Sequence, residues 1–292
     1  MNDTYAALGG RPGITAGHPS ARSLGRGGKD ELMKTVPILN LKGGVAKTST
    51  AVNLAAILAG DYKKRVLLVD ADSQCNTTEF FGGDPAAGSL ADVLRHEYDG
   101  GVYAASCIQA SNFPGVDLLA GDDSLMDLDL TKAETGTAKA AVLRDMALLL
   151  AEEDRYDVCI VDCPPAFNAA SAAALAASDE VIIPIKLDAF SLRGMTNLLR
   201  QLANARTINP ALRLSGILPT MWYRSRRIQE AEETLRGSGL PVFPHIRRTD
   251  KVDEMTFDQE PLIVCNPRCA ACVDYRRFIR EWLNLGGGAA YV

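Results

Sequence analysis

Ile38-Leu39-Asn40-Leu41-Lys42-Gly43-Gly44-Val45-Ala46-Lys47-Thr48 decides how the rest of this 292-residue chain is read. A short apolar run at 36–39 leads into a Gly-Gly loop, and Thr48 opens a stretch with Val52, Ala55, Ala56 and Ala59 at helical spacing. A strand, a glycine loop and a helix start, in that order, make an anion site. Backbone N–H groups at the helix N-terminus face the ligand, and the helix dipole favours its charge. Gly43 and Gly44 let the main chain curl around phosphate, Lys47 supplies a point charge, and the Thr48 hydroxyl is suited to ligating Mg²⁺. The ordinary pattern of such loops has glycine at 41 and 46; Leu41 and Ala46 stand there, with an additional lysine at 42. A Gly-Gly turn between solvated lysines is the plain alternative.

Outward from this loop the same alternation continues. Strands are expected at 65–70, 158–162, 181–185 and 214–218, with a short sixth at 241–243. Helices are expected at 48–59, 137–153, 169–177, 192–207 and 274–285. Continuous apolar strands between helices indicate an α/β fold, a mostly parallel twisted sheet with helices on both faces. Residues 1–34 differ: Gly9-Gly10, Pro12-Gly13 and Gly25-Arg26-Gly27-Gly28 break any periodicity, so a flexible N-terminal tail is expected before a single domain at 35–292. Met33, just ahead of the first strand, is an alternative start.

Two expected strands end in aspartate. One runs into Asp70-Ala71-Asp72-Ser73-Gln74, the other into Asp162-Cys163-Pro164-Pro165. Ligands of open α/β sheets bind outside the carboxyl ends of the strands, which puts these carboxylates beside the loop. A lone Asp-x-Asp is usually a solvated turn; after a buried strand that follows a phosphate loop it points to metal and water. A simple Gly-Gly turn requires neither aspartate.

Taken together, Lys42-Gly43-Gly44-Val45-Ala46-Lys47-Thr48 resembles the deviant Walker A motif of the ParA/MinD family of partition and positioning ATPases, a branch of the P-loop NTPases, and here looks like the ParA/Soj type. The resemblance spans roughly residues 35–285. It implies ATP and Mg²⁺ as cofactors, with ATP bound by Lys42, Gly43, Gly44, Val45, Ala46, Lys47, Thr48 and Ser49. It implies Mg²⁺ held, partly through water, by Thr48, Asp70 and Asp162. Catalytic roles fall to Lys42, matching the lysine that reaches the partner's ATP across a nucleotide-sandwich dimer, and to Asp72, matching the residue that orients or activates the attacking water. Ala46 departs from the family's glycine and resists a positive φ; Ser73 replaces a proline. Residues 217–221 resemble the strand that borders the adenine, and 245–248 the Ile-Pro-Arg loop, with Arg247 in place of proline.

Composition is that of a soluble globular protein, 47% hydrophobic and 23% charged. The apolar runs fall far short of the roughly 20 residues of a membrane span, and no signal-like segment opens the chain. Seven scattered cysteines suit a reducing cytoplasm better than a disulfide framework. Cys265, Cys269 and Cys272 lack a nearby fourth zinc ligand, His245 being a distant candidate, and metal binding there stays open. The acidic run at Asp122, Asp123, Asp127 and Asp129 is expected to be a solvated loop and helix start.

The net charge of −5 does not advertise a nucleic-acid binder, yet residues 213–251 hold eight basic against four acidic side chains. Arg224, Arg226, Arg227, Arg247, Arg248 and Lys251 are the candidate contacts to nonspecific DNA; a solvated surface is the bland alternative. The resemblance implies a cytoplasmic, nucleoid-associated ATPase that dimerises on ATP, binds DNA nonspecifically and is reset when a ParB-type centromere-binding protein stimulates hydrolysis. One alternative is a MinD-like membrane- or pole-associated positioning ATPase, for which the last helix, with Arg276, Arg277, Arg280, Phe278, Ile279 and Trp282, would be the anchor. Packing of that helix on the sheet is the expectation. Another alternative is a metabolic ligase of the same fold, which needs an acceptor pocket and usually a glutaminase domain.

Overall fold

The computed structural model describes residues 33–96, 99–129 and 137–285. In chain order the elements are β1 (Lys34–Ile38), α1 (Lys47–Gly60), β2 (Val66–Asp70), α2 (Asn76–Phe80), α3 (Leu90–Arg95), α4 (Val102–Ser106), β3 (Gln109–Ala110), β4 (Val116–Leu119), α5 (Thr137–Glu152), β5 (Val158–Asp162), α6 (Ala169–Ala177), β6 (Glu180–Lys186), α7 (Ala189–Ala205), β7 (Arg213–Thr220), α8 (Arg226–Arg236), α9 (Lys251–Asp258), α10 (Leu262–Cys265) and α11 (Ala270–Leu285). The expected tail lies almost wholly outside the described residues. Among the described residues Met33 is buried and β1 begins at Lys34.

The strands join in the order β3-β4-β2-β5-β1-β6-β7. Every pairing is parallel except the short β3–β4 pair at the edge. All five residues of β2 and of β5 are buried, as central parallel strands covered on both faces must be. In register, Asp162 lies opposite both Ile38 of β1 and Asp70 of β2. The chain therefore leaves β1, β2 and β5 at one level of one sheet edge. That alignment builds the site.

Two apolar layers flank the sheet. Helix α1 is buried nearly all round: Ala51, Ala55, Ala56 and Ala59 keep it slim enough to fit between the sheet and α11. Helix α11 sends Tyr275, Phe278, Ile279 and Trp282 into that layer, each at most 1% exposed. Trp282 Nε1 donates to Glu180 Oε1 at 2.7 Å, and Lys34 lies 3.3 Å from the same oxygen. These four large side chains of the last helix are thus buried in the core, while Val273, Arg277 and Arg280 are exposed.

The sequence expectation misses β3, β4 and the helices α2, α3, α4, α8, α9 and α10, and overstates 241–243, which makes only an isolated bridge between Ile217 and Val242. The acidic run forms a 3-10 helix at Asp123–Asp129, with Asp122 accepting from Ser124 N at 2.8 Å.

Candidate functional site

The loop between β1 and α1 is pinned from both sides. Asn40 donates to Pro184 O at 2.7 Å and accepts from Lys42 N at 2.9 Å. On the other side the Thr220 hydroxyl meets Val45 O at 3.0 Å and Ile185 O at 3.2 Å. Ala46 is the N-cap of α1 at φ 64°, ψ 38°, the left-handed region, and no side chain caps the helix. The first N–H groups of α1 are therefore left for a ligand. Gly44 also has a positive φ, and a Cβ at Gly43 or Gly44 would meet nothing within 4 Å. These glycines keep the hollow of the loop clear rather than accommodate packing.

The two lysines of the motif point apart. Lys47 is buried, its Nζ 3.3 Å from Lys42 O. Burial lowers its pKa, against the opposing charges of Asp162 and Asp72. Lys42 turns away from the loop to Asp188, 2.7 Å from Oδ2 and 2.9 Å from Oδ1, and to Ser191 Oγ at 3.0 Å. Asp188 also accepts from Ser191 N at 2.8 Å, which caps the start of α7.

The strand-end carboxylates divide their partners. Asp70 is fully buried; Oδ2 accepts from the Thr78 N–H and hydroxyl, both at 2.8 Å, and Oδ1 from Asp72 N at 3.1 Å. Asp162 Oδ2 accepts from the Thr77 hydroxyl at 2.7 Å, while its buried Oδ1 has no hydrogen-bond partner. Burial pushes both carboxyls up, Asp70 further through the Asp162 charge, with the threonine donors working against it. Asp72 is half-buried in the loop after β2, where its Oδ1 accepts from Gln74 N at 3.1 Å. Gly121 closes the back of the site: a Cβ there would come within 2.9 Å of Asp70 O.

A Mg²⁺ ion keeps several waters and takes one or two side chains plus phosphate oxygens. The Thr48 hydroxyl and the orphaned Asp162 Oδ1 fit that demand; the Asp70 carboxylate is already engaged by α2. Beside Ala46 opens a cavity of about 510 Å³ between Thr220 and Met221, the 246–249 segment, α9 and Tyr275. Its position past the helix start suits a nucleoside.

The DNA candidates separate. Arg247 and Arg248 are on the wall of this cavity. Arg247 is held by Asp274 through Nε at 2.7 Å, Nη2 at 2.9 Å and its own N–H at 3.0 Å. Lys251 pairs with Glu254 and Arg226 with Glu230. Arg224 and Arg227 are exposed and form no ion pair among the described residues. No group of three or more His, Cys, Asp or Glu among the described residues is arranged for a metal. His245, the distant zinc candidate, instead lies 3.0 Å from Glu232 and stacks on Trp222. Asp188, Ser191, Thr77 and Thr78 were not expected from the sequence; the pair of threonines directly after the Asp72 loop was the only available signal.

A family model described as an AAA domain matches residues 33–214. The chain is 31% identical over 258 residues to the chromosome partitioning protein ParA of Caulobacter vibrioides, covering 86% of this chain and 94% of that protein. The chain belongs to the ParA family of deviant Walker A ATPases. It is 35% identical over 253 residues to the chromosome-partitioning ATPase Soj of Thermus thermophilus, covering 85% of this chain and 95% of that one. Among solved structures, cobyrinic acid a,c-diamide synthase from Mycobacterium smegmatis, with bound ATP analog and magnesium, superposes with a TM-score of 0.72 at 28% identity, over 89% of this chain and 98% of that one. The expected fold and ATPase class therefore hold for this ParA-family member.

Proposed function

We propose that this ATPase is an ATP-driven DNA-partition switch. ATP lies in the 42–49 loop with Lys47 on its phosphates, Thr48 and Asp162 hold Mg²⁺, and Asp72 orients the attacking water. Bound Mg²⁺ neutralises charge on the phosphate oxygens. ATP closes a homodimer in which Lys42 of each subunit reaches the other's phosphates. The closed dimer binds DNA nonspecifically, and a ParB-type partner stimulates hydrolysis and resets it. Such a cycle belongs in the cytoplasm, on the nucleoid.

The observation that carries this reading is the divergence of the two lysines. Lys47 serves its own loop, whereas Lys42 is directed out of it, as a residue acting on a second subunit would be. The DNA contact draws support from α8. Its first turn carries Arg226 and Arg227 and no acid, behind an uncapped Ser225. Cations at a helix N-terminus oppose the dipole; Arg226 is offset by its pair with Glu230, but no ion pair among the described residues accounts for Arg227. The buried apolar side of α11 weighs against the membrane-anchored alternative, and among the described residues no helix is long and apolar enough to cross a membrane.

The test is binding of purified protein to nonspecific duplex DNA, with and without ATP, at two salt concentrations, with Lys42→Ala as control. Salt-sensitive binding that requires ATP and Lys42 is expected. ATP-driven dimers that ignore DNA would shift the reading to a positioning ATPase acting on another surface.

A further inference from the structure

Helix α2 offers two adjacent threonines to two adjacent carboxylates. Thr77 donates to Asp162 Oδ2 at 2.7 Å, and Thr78 to Asp70 Oδ2 at 2.8 Å. Asp70 and Asp162 are register partners on β2 and β5, each at most 1% exposed. Two carboxylates so close and so dry cannot both stay charged unless donors are built around them.

The donors are shared unevenly. Asp70 receives the Thr78 hydroxyl, the Thr78 N–H and the Asp72 N–H, so both of its oxygens are satisfied. Asp162 receives one full hydrogen bond, from Thr77 on Oδ2; the Thr48 hydroxyl stabilises its charge from nearby, yet the buried Oδ1 has no partner within hydrogen-bond distance and geometry. A buried carboxylate oxygen without a partner is costly unless a group from outside the protein meets it. Thr77 is itself fully buried and β-branched, so its χ1 is restricted and its single hydroxyl proton has a defined target. Its helix follows directly on the Asp72 loop, which is closed by Cys75 N donating to Asp72 O at 3.0 Å. The position of Asp162 is thereby tied to the segment that carries Asp72.

We propose that Thr77 is a positioning residue for the metal: by holding Oδ2 it fixes the Asp162 carboxylate so that Oδ1 alone is presented to a Mg²⁺-bound water. This rests on the assignment of Asp162 to the Mg²⁺ site made above. Thr78 acts beside it by anchoring Asp70, which keeps the second carboxylate out of competition for the ion.

Thr77→Val removes the donor at nearly constant shape, Thr77→Ser keeps it, and Asp162→Asn is the reference. ADP binding is measured by calorimetry with and without Mg²⁺, so that no turnover intervenes, and ATPase rate is measured against Mg²⁺ concentration. In Thr77→Val the enhancement of ADP affinity by Mg²⁺ is expected to fall about 10-fold, the usual size of an outer-shell loss at a metal site. Mg²⁺-free affinity should stay at the wild-type value, and Thr77→Ser should restore the enhancement. An unchanged enhancement in Thr77→Val, or an equal loss with and without Mg²⁺, overturns the positioning role. If Asp162→Asn itself keeps the enhancement, the metal-site assignment falls and this inference with it. If Asp162→Asn loses it while Thr77→Val does not, only the role of Thr77 falls. Should Thr77→Val not fold, Thr77→Ala removes the same donor and carries the comparison.

Discussion

Lys42 Nζ sits 2.7 Å from Asp188 Oδ2 within a single subunit, so the lysine assigned to a partner's ATP is already occupied by a carboxylate of its own chain. Asp188 lies at the start of α7, and its pKa is drawn down to about 2: burial works against this, but hydrogen bonds from Lys42 and Ser191 outweigh it. A depressed carboxyl holds its contact above the ordinary carboxylate range and loses it only as pH falls through the depressed value. The pair is therefore intact throughout the neutral range, and the dimer proposed above requires Lys42 to leave it.

Asp188→Asn keeps the cap on Ser191 N, since Asn caps as well as Asp, but drops the charge facing Lys42. A pair this open to water contributes about 0.2–1 kcal/mol, and a symmetric dimer displaces two of them, so ATP-dependent dimerisation should tighten by up to about 30-fold. Sedimentation with a nonhydrolysable ATP analogue measures it. A weaker dimer would make Asp188 part of the closed interface instead of a latch.

Ala46→Gly addresses the left-handed residue ahead of α1. Alanine at a positive φ is strained by about 1–2 kcal/mol, partly offset by the freedom glycine has in the unfolded chain, so a net gain of about 1 kcal/mol is expected. For a domain of this size that is a rise in Tm of about 2–4 °C. A lower Tm in Ala46→Gly would show that the Ala46 methyl makes contacts outweighing the strain.

What the sequence revealed follows burial. Strands β1, β2 and β5 were legible because they are apolar on both faces, and β5 and α6 fall at the expected residues. Strand β4 was not, because Asp117 interrupts its short run; that carboxylate accepts from the Tyr156 hydroxyl at 2.7 Å, a contact no periodicity reports. Helix α8 fully buries only Leu235 and lays Ile228 and Ala231 half-buried on the core, a thin stripe among charged residues that the sequence reading passed over. In the site, the loop and its aspartates were readable as motifs. Asp188 stands 146 residues from Lys42, and only the fold joins them. A run of basic residues likewise does not distinguish an exposed arginine such as Arg224 from one that, like Arg247, closes a cavity onto Asp274.

Trp282→Phe tests what fixes α11. The substitution removes the indole donor from Glu180, which is 7% exposed, and among the described residues leaves it Lys34, 3.3 Å from the same oxygen. Leaving a buried acceptor short of a partner costs about 1–3 kcal/mol. A lower denaturant midpoint with unchanged nucleotide affinity is expected; an unmoved midpoint would mean that apolar packing alone holds the helix.

The buried pair Asp70 and Asp162 sets a pH dependence of opposite sign to that of Asp188. Both carboxyls are raised by burial. The folded state then retains protons that the unfolded chain has released, so this contribution is full below the ordinary carboxylate range and fades as pH rises toward neutrality. In Mg²⁺-free protein the thermal midpoint should carry that downward slope, and Asp162→Asn should flatten it. Equal slopes in the two proteins would mean that the pair ionises freely.

Asp72→Ala separates binding from chemistry. The side chain is half-buried, holds the turn through Gln74 N, and lends its charge to Lys47 without taking part in the main-chain cradle. Equilibrium ATP affinity should therefore change only a few-fold, while single-turnover hydrolysis drops by about 10²–10⁴, the size of a lost general-base or water-orienting group. Retained hydrolysis in this variant would remove Asp72 from the chemistry. Lost ATP affinity with proportionate turnover would instead make it a counter-charge for Lys47, and the water would have to be oriented by another group at the same sheet edge.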